Sequence, residues 1–344
     1  MSAGGAGAPT KRVNLALQGG GAHGAFTWGV LDRLLEDERI EIEGICGISA
    51  GAMNSVALAH GMVEDGAAGA RRTLDRFWGS VAEAARFSPI QRSPLDQVLG
   101  TWRLDHSPSY LAFDYLTRML SPYQTNPCNY HPLERVLEEV VDFAVVRQCT
   151  AVKLFICATN VRTGKIKVFA REEVCREAIL ASACLPFLFQ AVEYQGEHYW
   201  DGGYMGNPAI FPLIYRCASP DVIIVQINPL RRETIPMTAR EIMDRVNEIS
   251  FNSSLMREMR AIAFVSRLLE QGKLDPAHYK RMNIHLVEAD DRLGPLGASS
   301  KLNAERAFLE HLKAIGRAAC ERWLARNFDQ IGVSSTVDLV ETYL

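Results

Sequence analysis

Residues 13–53, VNLALQGGGAHGAFTWGVLDRLLEDERIEIEGICGISAGAM, leave few folds open. Val13 to Gln18 is a short apolar run of the kind that forms a buried strand, and three glycines follow it. Phe26, Val30, Leu31, Leu34 and Leu35 then recur at helical spacing within Ala25 to Leu35. Ile42 to Ile48 is a second strand run, and Ala50 to His60 is a helix of small residues able to pack tightly on a sheet. This β-α-β-α order predicts a parallel sheet covered by helices, with ligands at the carboxyl ends of the strands.

The rest of the chain extends that pattern. Leu74, Phe77, Trp78 and Val81 share one face of a helix over 69–81. From 84 to 132 the periodicity loosens around six prolines and many aromatics, which predicts an insertion of loop with one short helix near 110–120. Such an insertion serves as a structural cover or as a lid over a lipid site, since loops beyond about 12 to 15 residues are often functional. A helix over 133–143, a strand over 152–159 with a hairpin partner at 165–170, and a helix over 174–184 stopped by Pro186 come next. A hairpin folds about Gln195-Gly196, from 189–194 to 198–200, and strands follow at 221–227 and 284–287. Thr238 and Glu241 form a capping box for a helix to about Gln271, with a kink expected at 250–254. A final helix covers 303–326. The expected organisation is a flexible segment through residue 11, one α/β domain over 12–330, and a tail from 331 with no assigned role.

Composition narrows the function classes. A net charge of -3 over 344 residues gives no reason to expect nucleic acid. The first dozen residues lack the apolar core of a signal peptide. No apolar run reaches the roughly 18 residues that a membrane-spanning helix needs, so the cytoplasm is the expected compartment. The cysteines at 46, 128, 149, 157, 175, 184, 217 and 320 are scattered without paired spacing, and no metal or cofactor is expected.

Two glycine clusters carry the chemistry. Gly19, Gly21 and Gly24 fit G-x-G-x-x-G, which alone would suit a dinucleotide phosphate. The second strand, however, runs into Gly47-Ile48-Ser49-Ala50-Gly51, a nucleophile elbow that exposes a serine hydroxyl on a sharp strand-to-helix turn. Ser49 is then a nucleophile, and the N–H groups of Gly19, Gly20 and Gly21 are oxyanion donors. For a base, Asp201 before Gly202-Gly203 stands at a glycine-rich strand end; a triad through His278, His285 or His311 is the alternative. His198, three residues from Asp201 on one strand, faces the other way.

With these three motifs in this order, the chain resembles the patatin-like phospholipases over roughly 13–227. The resemblance implies a three-layer α/β/α fold with a mainly parallel central sheet. It also implies a Ser-Asp dyad of Ser49 and Asp201 without histidine, and calcium-independent cleavage of lipid acyl esters through an acyl-enzyme. Gly19, Gly20 and Gly21 carry over as the oxyanion loop, with His23, Gly24, Gly47, Gly51, Gly202 and Gly203 as supporting motif. Two departures stand out: His23 occupies a position where Arg or Lys is frequent, making charge there depend on pH, and Ile48 replaces a frequent Thr. Burial next to Trp200 is expected to raise the Asp201 pKa. Arginines 71, 72, 86, 92, 103, 231 and 232 are candidates for lipid head groups, and Met237, Met243, Met256 and Met259 for an acyl groove or plain core. The expected partners are a lipid or acyl-ester substrate and a peripheral lipid surface. A soluble carboxylesterase or thioesterase, and a non-catalytic lipid- or nucleotide-binding regulator, remain open.

Overall fold

Strands β1 (Lys11–Leu17), β2 (Ile40–Gly47), β3 (Lys153–Asn160), β4 (Ile166–Ala170), β5 (Val192–Tyr194), β6 (Glu197–Asp201), β7 (Asp221–Val225) and β8 (Asn283–Val287) form one sheet in the computed structural model, which describes residues 10–344. The order is β5-β6-β3-β2-β1-β7-β8, with β4 paired to β3. β3, β2, β1, β7 and β8 run parallel, while β4, β5 and β6 add antiparallel pairings at one side. Residues 1–9, most of the segment expected to be flexible, lie outside the described residues, and Lys11 already belongs to β1.

The period of two sorts the strands into two cores. Val13, Leu15, Leu17, Ile223 and Val225 face one layer, and Ala16, Val222 and Ile224 face the other. Each such aliphatic residue, taken fully out of water, contributes about 1.5 to 3 kcal/mol. The first layer holds α1 (Gly24–Glu36) and α2 (Ala50–Ala85), which breaks at Asp65 and Gly66 into the two helices expected from the sequence. Asn54 accepts from the Trp78 indole at 3.0 Å and so ties the two halves together.

The 84–132 insertion is more ordered than its composition suggested. It contains α3 (Pro94–Val98), α4 (Pro108–Met119) and α5 (Pro122–Thr125), and α6 (Pro132–Val140) follows. All four begin with proline at the first helical turn, behind Ser93, Ser107, Ser121 and His131. Proline lacks only an N–H that the first turn leaves unused, so these residues start helices rather than break them. Helix α4 buries no residue.

Beyond α7 (Phe143–Gln148), α8 (Arg176–Ser182) and α9 (Phe211–Arg216), the long helix α10 (Ala239–Glu270) starts at the expected capping box. It runs without the expected kink; the Ser253 hydroxyl bonds back to the Ser250 carbonyl inside the helix. Leu255, Met259 and Ile262 seat it on the second core, whereas Ile242, Val246 and Ile249 lie on its opposite face and are exposed. After α11 (Asp290–Leu293), helix α12 (Arg306–Asn327) packs on α1 so closely that Gly29 and Gly316 admit no methyl group against the facing backbone. The tail has a structural role after all: Ile284 N–H donates to Ser335 Oγ, Thr336 N–H donates to the Ile284 carbonyl, and α13 (Leu339–Tyr343) buries Tyr343.

Candidate active site

β2 and β6, the two strands that carry the expected dyad, pair in succession with the same edge of β3, Gly47 of β2 opposite Ile156 and Asp201 of β6 opposite Ala158, while β4 takes the other edge. Ser49 leaves β2 at φ 54 and ψ -120, a left-handed conformation that a non-glycine residue holds only when its surroundings enforce it. Those surroundings are specific. The Ser49 N–H donates to Ser182 Oγ at 3.0 Å, and that hydroxyl donates to the Cys157 carbonyl at 2.7 Å. Gly51 lies against the Leu17 carbonyl, where any side chain would collide with β1. Ala50 then opens α2, so the positive end of its dipole lies beside the serine.

Asp201 is 1% exposed. Its N–H donates to the Cys184 carbonyl at 2.8 Å, its carbonyl accepts from Thr159 Oγ1 at 2.8 Å, and its Oδ1 accepts from Gly203 N–H at 2.7 Å. Burial raises the carboxyl pKa to about 6, with hydrogen bonds from Gly203 and from the Ser49 hydroxyl opposing the rise. The charged form feels Cys184 and Tyr204 as neighbours. Trp200 precedes Asp201 on β6, and burial is the leading cause of the raised carboxyl pKa.

The glycine loop divides its donors. Gly19 N–H is committed to Asn207 Oδ1 at 2.7 Å, while the Gly19 Cα lies so near Ser49 that an added methyl would meet its Cβ at 2.7 Å. Of the three expected oxyanion donors, Gly19 is thus already bonded within the protein. Gly21 takes φ 59 and packs on the Lys301 carbonyl, an approach only glycine permits. Gly24 sits on Ala50, Gly47 on Gly51, Gly202 on the Cys157 carbonyl and Gly203 on Phe251.

His23 does not carry the conditional charge its residue type suggested. Its Nε2 is 2.7 Å from Ser300 Oγ, whose own proton goes to the Gly297 carbonyl, so His23 is the donor. Burial and the nearby Lys301 lower its pKa to about 3, leaving it neutral at physiological pH. The alternative triad histidines are occupied elsewhere: His278 with Asp275, His285 with Asp221 and Thr336, and His311 stacked on Trp102. Of the candidate head-group arginines, Arg71 pairs with Asp32, Arg72 with Asp65, Arg86 with Glu83, Arg92 with Glu305 and Arg232 with Glu248. Arg103 donates to the Pro295 carbonyl. The methionines split, Met259 into the core and Met237 and Met243 onto the surface. No group of three or more His, Cys, Asp or Glu among the described residues is placed to hold a metal ion.

Sequence reasoning missed Ser182, Asn207, Asn228 and Lys301. Both asparagines stand before a proline at a strand or turn end, the one local signal they carry.

A parallel-rich sheet between helical layers, with a left-handed serine and a buried aspartate meeting at its strand ends, defines a three-layer α/β protein with a tight strand-to-helix turn at the serine. The model of the family described as Patatin-like phospholipase matches residues 15–214, and the chain belongs to that family. Among solved structures it is similar to VipD from Legionella pneumophila, at 14% identity and a TM-score of 0.40, over 98% of this chain and 73% of that one. It is also similar to the type III effector protein ExoU, at 15% identity and a TM-score of 0.29, over 89% of this chain and 54% of that one. A second ExoU structure, from Pseudomonas aeruginosa in complex with SpcU, gives 13% identity and a TM-score of 0.31, over 91% of this chain and 54% of that one. The chain thus spans about half the length of the ExoU chains. No curated protein matches it.

Proposed function

We propose that the protein is a serine lipid acyl hydrolase working through a Ser49–Asp201 dyad. The observation that carries the reading is the pairing of a left-handed Ser49 with a buried carboxyl whose pKa is raised to about 6. That pKa suits a base near neutral pH better than the usual carboxylate value of about 3.9. In the acylation step the Asp201 carboxylate takes the Ser49 hydroxyl proton while Oγ bonds to the acyl carbon. The resulting oxyanion is held by the N–H groups of Gly20 and Gly21, each such donor being worth about 2.7 to 4 kcal/mol in the transition state. Collapse breaks the ester C–O bond, and the departing alcohol leaves with the proton from Asp201. Water attacks the acyl-enzyme with Asp201 again as base, releasing the fatty acid and the free serine.

Labelling with a fluorophosphonate probe tests the nucleophile: the wild-type chain is expected to label, and Ser49→Ala is not. Label on Ser49→Ala equal to wild type would sink the assignment. A lipid panel read by mass spectrometry in the same preparation identifies the ester class, and activity confined to short nitrophenyl esters would favour a soluble carboxylesterase.

The reading extends to a lipid surface. Tyr204 and Met205, next to the Asp201 turn, are exposed, and Tyr204 packs on Phe251 of α10 with ring centroids 5.3 Å apart. The same helix presents Ile242, Val246 and Ile249 outward, behind Ile235 and Met237, which are 83% and 82% exposed. Apolar side chains gathered beside an ester-cleaving site suit contact with a bilayer. No described helix is long and apolar enough to cross a membrane.

A further inference from the structure

The two peptide groups that flank the Gly19 Cα are each held by an asparagine, and the two asparagines come from different parts of the chain. The Gly19 N–H donates to Asn207 Oδ1 at 2.7 Å, and its carbonyl accepts from Asn228 Nδ2 at 2.9 Å. Both asparagines are buried, at 0% and 2% exposure. The Gln18 side chain joins them: its Oε1 accepts from the Asn228 N–H at 2.9 Å, and its Nε2 donates to the Asn207 carbonyl at 3.0 Å. Proline follows each asparagine and restricts its backbone to extended conformations, so each amide is presented from a stiffened support.

The orientation of the Asn228 amide is in turn dictated by a charge. Lys301 Nζ donates to Asn228 Oδ1 at 2.7 Å. An ammonium has only donors, so it fixes which end of the amide is oxygen and turns Nδ2 toward the Gly19 carbonyl. The Lys301 segment reaches the same loop at two further points, where its own carbonyl packs on Gly21 and where Ser300 accepts from His23. Asn228 and Lys301 both lie beyond residue 214, where the family match ends.

A trans peptide points its carbonyl and the next N–H in opposite directions. Holding the Gly19 carbonyl therefore aims the Gly20 N–H, one of the two donors left for an oxyanion. We propose that Asn207, Asn228 and Lys301 form a clamp on the Gly19 backbone that positions the oxyanion donors. All three are positioning residues. The clamp rests on the hydrolase reading for its purpose, though not for its existence.

The test uses the full-length chain and the variants Asn228→Ala, Lys301→Met and Lys301→Arg. Hydrogen exchange read by mass spectrometry over residues 15–26 measures the clamp without reference to catalysis. Faster exchange there is expected in Asn228→Ala and Lys301→Met, and near wild-type exchange in Lys301→Arg. On p-nitrophenyl butyrate, kcat is expected to fall about 100-fold in Asn228→Ala and about tenfold in Lys301→Met, with KM within about twofold, because a donor displaced by an ångström loses transition-state contact and not substrate affinity. Lys301→Arg is expected to recover most of that loss. Unchanged loop exchange in both disrupting variants overturns the clamp, and so does wild-type kcat in Asn228→Ala. Should Asn228→Ala not fold, the Lys301→Met and Lys301→Arg pair decides alone. If the wild-type chain fails to label at Ser49, the hydrolase reading falls, and loop exchange still decides the clamp.

Discussion

Asp201 does two incompatible things, and its pKa records the conflict. A carboxyl whose pKa rises from 3.8 to about 6 on folding holds its proton more tightly in the folded state. Its contribution to stability is full below about 3.8 and declines as pH rises through about 6, since the folded protein must then keep a charge in a dry place. The proposed mechanism needs that charged form. The ratio kcat/KM on a short ester is expected to rise with pH to a plateau, with an apparent pKa of about 6. Asp201→Asn is expected to lose about 100-fold or more of the activity yet to unfold at a higher temperature than wild type at pH 8. A lower unfolding temperature in Asn would mean that the carboxylate is structural. At this scale backbone geometry was legible: the turn at Ser49, the close approach of Gly19 to it and the positive φ at Gly21 each follow from a local sequence pattern. The fate of His23 was not, because its neutrality comes first from burial and then from Lys301, and no local pattern connects it to what covers it.

Elements were legible where hydrophobic period and capping agreed. The β-α-β-α opening, the break in α2 and the capping box of α10 all follow from the sequence. The proline-rich insertion was underread because proline marks both a loop and the first turn of a helix, and only the N-cap ahead of it tells them apart. The outward stripe of α10 has the same periodicity as a core face, so spacing could not say which side is wet. Between elements, Ser182 on α8 is the peg that keeps the elbow in its strained conformation. Ser182→Ala leaves the part-buried Ser49 N–H without its acceptor, and urea unfolding should show a loss of about 1 kcal/mol. Slower fluorophosphonate labelling is expected alongside it; unchanged labelling would mean that the elbow holds itself.

For the whole molecule, the tethered arginines and the exposed aliphatics predict how it meets lipid. Arg92 and Arg232 are committed to carboxylates, whereas Ile242, Val246 and Ile249 are free to insert. Co-sedimentation with neutral phosphatidylcholine vesicles should therefore approach that with anionic ones, and Ile242→Asp with Val246→Asp should reduce both. Binding that appears only with anionic lipid and vanishes in salt would contradict this. The Lys301 contact with Asn228 also has a consequence in time. A ribosome delivers Ser49, Asp201 and every glycine motif well before it delivers Lys301, so a nascent chain carries the proposed nucleophile and base while the proposed mount for the glycine loop is still being made. Under the proposed mechanism a segment synthesised after both members of the dyad is the latch, and a copy that stops short of Lys301 would have the signature of an esterase without its grip.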